Sequence, residues 1–187
     1  MKKSLSYIAI SLFLTGCAAA GYDSLRSTYY SLGYTKGDAL LAANGQAIKV
    51  NVVSKKEKEA LEQNVSAGLN KYGPKWLDAK YAPASSTETK SPYQMKWAFN
   101  VPESGNAIAI CHEDYNSNPQ NFSTTNTSVV LAAFCLNNRT LTSLRARVYS
   151  APDTEGFAKT VGLIGRKLLT TTNPERFDDC TNFDDCT

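Results

Sequence analysis

Few residues of this 187-residue chain are of types and spacings that could do chemistry, and most of the spacings argue against catalysis. Cys111 and His112 are adjacent. A thiol nucleophile needs the imidazole aimed at its sulfur, yet neighbours in a strand point to opposite faces, so this pair fails geometrically. The chain contains no G-x-S-x-G elbow, no phosphate-cradling glycine motif and no H-E-x-x-H. Glu113 and Asp114 are paired carboxylates, but nothing around them predicts the shifted pKa that acid–base work requires. The expectation is a protein that is not an enzyme. Four cysteines, Cys111, Cys135, Cys180 and Cys186, form an even set with three possible connectivities. Zinc would need clustered ligands, whereas there is no C-x-x-C pair and His112 is the single histidine. Disulfides are therefore expected, Cys111 with Cys135 and Cys180 with Cys186, and no metal.

Recognition has three candidate carriers. Arg145 and Arg147 alternate with apolar residues and could grip an anionic partner bidentately. Residues 113–127 form a long polar loop with Tyr115 and Phe122 embedded in it, suited to a protein or glycan contact. Tyr93, Met95, Trp97, Phe99 and Val101 share one side of an alternating run. Such a face either lines a lipophilic pocket or is buried under helices. The repeated Phe-Asp-Asp-Cys-Thr at the carboxyl end reads as a solvated, disulfide-closed tail, since its aspartates lack the spacing of a calcium loop.

The fifth cysteine has a different context. Met1-Lys2-Lys3 is a short positive region, residues 6–14 are an apolar run too short to span a bilayer, and Leu14-Thr15-Gly16-Cys17 follows. This order resembles the signal peptide and lipobox of bacterial lipoproteins, over the first seventeen residues only. The resemblance implies that residues 1–16 are removed and that Cys17 becomes a mature first residue carrying covalent lipid, palmitate included. Ala18 rather than Asp after that cysteine resembles the family's outer-membrane sorting pattern. The alternative is an ordinary secretory signal cleaved near residues 18–20. Export agrees with the even cysteine set, because disulfides persist in oxidising compartments. Losing Lys2 and Lys3 takes the formal charge from +3 to +1. A nucleic-acid partner, which feeds on clustered Lys and Arg, is not expected.

Behind these residues stand the elements that must position them. Residues 17–46 read as the lipidated cysteine and a tether, with Tyr22, Leu25, Tyr29 and Leu32 at the spacing of a short interfacial helix as the alternative. Residues 47–172 read as the folded domain. Ile48, Val50 and Val52 alternate as a strand, and Ser54 with Glu57 suggests a capping box ahead of a helix carrying Leu61, Val65, Leu69 and Tyr72 on one stripe. Strands are expected over 93–101, 107–112 as its hairpin partner, 128–136 and 144–149. A last helix begins at 152–154 and carries Phe157, Val161, Ile164 and Leu168. Residues 173–187 are the acidic, cysteine-containing tail. The predicted class is α+β: two layers, a mainly antiparallel sheet of about five strands covered by two amphipathic helices.

The functional expectation is an outer-membrane lipoprotein facing the periplasm. It would act as a non-catalytic binding or adaptor module toward an envelope protein or glycan, with no cofactor beyond the lipid on Cys17. A small lipophilic ligand on the 93–101 face, or more remotely a hydrolase, is the alternative.

Overall fold

The computed structural model describes residues 23–53, 57–86, 90–115 and 128–176. In chain order these form strand β1 (Ser24–Tyr30), helix α1 (Lys36–Ala43), β2 (Ile48–Val52), α2 (Lys58–Tyr72), β3 (Tyr81–Pro83), β4 (Tyr93–Phe99), β5 (Ser128–Leu136), β6 (Arg139–Val148) and α3 (Glu155–Leu168). Short 3₁₀ turns lie at Ala84–Ser86, Ile108–Cys111 and Pro174–Arg176. The class is α+β, built on an open six-stranded sheet of order β1-β6-β5-β4-β2-β3. Pairings from β1 through β4 are antiparallel, while β2 runs parallel to both β3 and β4.

Sequence dictates most of these elements directly. Ile48, Val50 and Val52 are fully buried, as their alternation requires. β5 is a nearly continuous apolar run because it lies between two neighbours with both faces covered: Val130, Ala132 and Phe134 belong to the helix-side core, and Leu131, Ala133 and Cys135 to a second cluster behind the sheet. The β5–β6 connection turns at Asn137, which takes a left-handed φ of 51° that asparagine tolerates. Thr154 caps α3 by accepting from the Phe157 N–H at 3.3 Å.

Tyr93, Met95, Trp97 and Phe99 project into the same core as Leu61, Val65 and Leu69 of α2 and Phe157, Val161 and Ile164 of α3. That face is packed by the helices, so the lipophilic pocket considered for it is replaced by core. Val101, its fifth expected member, lies in the second cluster instead.

Other departures are topological. The sheet has a sixth strand and mixed direction, because the chain from β2 through α2 to β3 is a parallel crossover. The expected tether is, from Ser24 onward, folded structure. β1 pairs with β6, and Tyr34, Ala39 and Ala42 enter the core, so among the described residues the domain begins at Asp23 rather than 47. The register shifts between Arg26 and Tyr29, with Ser27 at φ 47°, and this bulge erases the period-two pattern that would betray a strand. The expected strand at 107–112 is a 3₁₀ turn, and β4 pairs with β5. At the start of α2 the N-cap is Glu57, with φ 54°; Ser54 lies outside the described residues.

Candidate functional site

With the helices on one face, the other face of the sheet is free to carry a site. Alternation along β6 puts Leu144, Ala146 and Val148 in the helix-side core and turns Ser143, Arg145 and Arg147 to the back. The segment from Val101 to Tyr115 lies across this back face. Ile110 and Cys111 are fully buried there against Leu131 and Ala133.

Several polar bonds hold that segment down. The Cys111–Cys135 disulfide joins it to β5, with Cα atoms 5.7 Å apart. The Lys96 ammonium donates to the Cys111 carbonyl at 3.0 Å and the His112 carbonyl at 3.4 Å. Burial depresses the Lys96 pKa below the ordinary lysine value, against the opposing pull of Glu113. Thr140 Oγ1 donates to the Ile108 carbonyl at 2.6 Å. Arg145 Nη2 donates to the Gly105 carbonyl, and Arg147 Nε donates to Glu103 at 2.8 Å.

Between this strap and edge strand β1 two neighbouring clefts open. The first, about 400 Å³, is walled by Ser27, Thr28 and Tyr29 on one side and 104–108 on the other, with Ser143 and Arg145 lining it from β6. The second, about 710 Å³, shares Tyr29 and Ile108 with the first and extends past His112 to Asn137, Asn138 and Arg139. Tyr29 and Ile108 are 36% and 41% exposed, which makes them the accessible apolar groups of the pair.

The residues singled out from sequence are placed as follows. Cys111 and Cys135 are bonded, so Cys111 is no free nucleophile. Arg145 and Arg147 are on the back face but not fully exposed, and each already bonds the turn at 103–105. Tyr115 packs against the second cluster, and burial raises its phenol pKa. Cys17, Phe122, Cys180, Cys186 and most of the 113–127 loop lie outside the described residues. Among the described residues no three His, Cys, Asp or Glu side chains stand together as metal ligands, and no helix is long and apolar enough to cross a membrane.

Sequence reasoning missed Ile108 and Ser143, and placed Tyr29 only in a tether or interfacial helix. The β-favouring run Thr28-Tyr29-Tyr30 was the one available sign of β1. No family model matches the chain, and no curated protein matches it in sequence. Among solved structures, two PelC dodecamers from Paraburkholderia phytofirmans are similar, one a point variant at 11% identity and TM-score 0.41, the other at 13% and 0.40. Each alignment covers 81% of this chain and 100% of the PelC chain. A likeness at that level carries no argument about activity or assembly.

Proposed function

We propose that this chain is a lipid-anchored envelope module, held through Cys17 in the outer membrane with its domain in the periplasm, that binds an envelope component without catalysis. The observation that supports it most is the Cys111–Cys135 bridge, which clamps the strap onto the sheet. A bridge of that kind suits an oxidising compartment, the destination implied by the lipobox-like Leu14-Thr15-Gly16-Cys17. On this reading the contact surface is the back face around Arg145 rather than the helix side. The alternative of a small lipophilic ligand loses its lining, because Tyr93, Met95, Trp97 and Phe99 are spent on the core.

Palmitate labelling of cells tests the anchor. The unaltered protein should take up label and fractionate with outer membrane, whereas Cys17→Ser should be unlabelled and leave that fraction. An unaltered protein that takes up no label defeats the proposal.

A further inference from the structure

Among the described residues, the back face carries positive charge without a matching carboxylate. Arg26 of β1 stands directly opposite Arg145 of β6 in the antiparallel register. Directly opposed residues share a face, and like charges placed so destabilise the pair. Glu103 is engaged by Arg147, and among the described residues no carboxylate lies within ion-pair distance of Arg26 or Arg145. Two buried groups add to this. Ser143 Oγ and Arg145 Nε have no hydrogen-bond partner among the described residues, and Ser143 is fully buried. An unsatisfied buried polar group costs about 1–3 kcal/mol, and both residues line the smaller cleft. Two positions apart on one strand, they sit about 7 Å from each other by Cα. A carboxylate entering the cleft would find two waiting donors, Arg145 Nε–H and Ser143 Oγ–H. Arg26 would supply a second positive charge across the strand pair.

We propose that this cleft binds a carboxylate of an acidic glycan. The inference deepens the envelope-binding reading and rests on it, but it does not require the lipid. The walls favour a saccharide. Ser27, Thr28, Asn106, Asn137 and Asn138 offer hydroxyl and amide groups along the two clefts, and the exposed Tyr29 ring gives a sugar a flat apolar face at their junction. A peptide would instead seek an unbroken strand edge, and the β1 edge is interrupted by the bulge at Ser27. Tyr29 and Ile108 line both clefts and are partly exposed, so they lie beside any sugar bound there.

The test is titration calorimetry of the purified full chain with a uronic-acid tetrasaccharide, its carboxyl-reduced neutral counterpart and a tetraglutamate peptide. The uronate should bind at least about tenfold more tightly than either control, as expected for a charge-assisted pair at a built site. Ser143→Ala and Arg26→Gln should each weaken uronate binding by about fivefold or more. Both variants should leave thermal stability unchanged or raised, because one removes an unmet hydroxyl and the other a like-charge opposition. Absence of uronate binding overturns the proposal. So does equal binding of the neutral sugar, equal binding of tetraglutamate, or unchanged affinity in both variants. Palmitate labelling at Cys17 reads out independently, so the anchor and the glycan site can fail separately.

Discussion

At the residue scale, the carboxylate of Glu62 is a buried clamp in the helix layer. It is fully buried on α2, accepts from the Val52 N–H at 3.1 Å with one oxygen and from the Ser85 N–H at 3.0 Å with the other, and has Lys58 at 3.7 Å. It thereby ties a helix to the end of β2 and to the turn after β3. Glu62→Ala leaves two backbone donors without this acceptor and should lower unfolding free energy by about 2–4 kcal/mol in urea titration. Glu62→Gln keeps one good acceptor and should lose less. A loss below about 0.5 kcal/mol for the alanine variant would mean that water replaces the carboxylate. Glu62 was not legible as a clamp, because helical periodicity places it beside the Leu61, Val65, Leu69 stripe without saying what lies opposite. The Cys111–Cys135 pair was legible because the thiol set admits few solutions. Arg26 facing Arg145 was not, since cross-strand opposition depends on a register that no local pattern prints.

At the element scale, the helix layer depends on how closely α2 and α3 approach. A Cβ on Gly162 would strike Tyr72 side chain and backbone, and one on Gly165 would strike Leu69, so the contact uses glycine for want of room. Gly162→Ala should destabilise by about 1–3 kcal/mol despite its better helix propensity, measured by thermal or urea unfolding. An unchanged or raised midpoint would show that the helices slide apart freely. The same junction holds Glu155, which accepts from Tyr72 Oη and from Lys71 Nζ. Those bonds, Tyr72 first, hold the Glu155 carboxyl below its ordinary pKa. A depressed folded pKa means stability fully present above the unfolded value near 4.5 and lost as pH falls through the folded value. Glu155→Gln should therefore flatten the acid limb of a melting-temperature profile between pH 5 and 3 and leave the difference from wild type largest near neutrality. β4 and α3 were readable as elements because the alternating Tyr93, Met95, Trp97 and Phe99 and a clean helical stripe each fit one secondary structure. The segment 107–112 misled because Ala-Ile-Ala-Ile alternates like a strand. There Asn106 Oδ1 accepts from the Ile108 N–H at 3.0 Å and starts a 3₁₀ turn, and the disulfide holds the turn against the sheet.

At the scale of the whole molecule, the first and last described segments sit at opposite poles of the sheet. Asp23 fixes one pole by accepting from the Tyr149 N–H at 2.6 Å and from the Ser150 and Thr160 hydroxyls. At the other pole Asn173 donates to the Ser31 carbonyl at 2.7 Å and to that of Tyr34 at 3.2 Å. Only six residue steps separate Cys17 from Asp23, a reach of at most about 21 Å when fully extended. β6 runs from Arg139, next to Asn138, to Val148 at the Asp23 pole, its ten residues spanning about 33 Å. If Cys17 carries lipid, the Asp23 pole is therefore leashed to the bilayer and the β5–β6 turn is not. Nitroxide labels at the exposed Asp153 and Asn138, one per pole, should report this in vesicles. A lipid-soluble relaxation agent should broaden the Asp153 signal markedly more than the Asn138 signal. A twenty-residue Gly/Ser insertion after Ala20 should erase the difference, since a flexible chain of that length spans about 25 Å in root-mean-square terms and more at full stretch. Equal broadening at both poles in the uninserted protein would show that the short leash does not orient the domain. The two clefts, lined by Arg145 and by Arg139, would then have no preferred direction relative to the membrane.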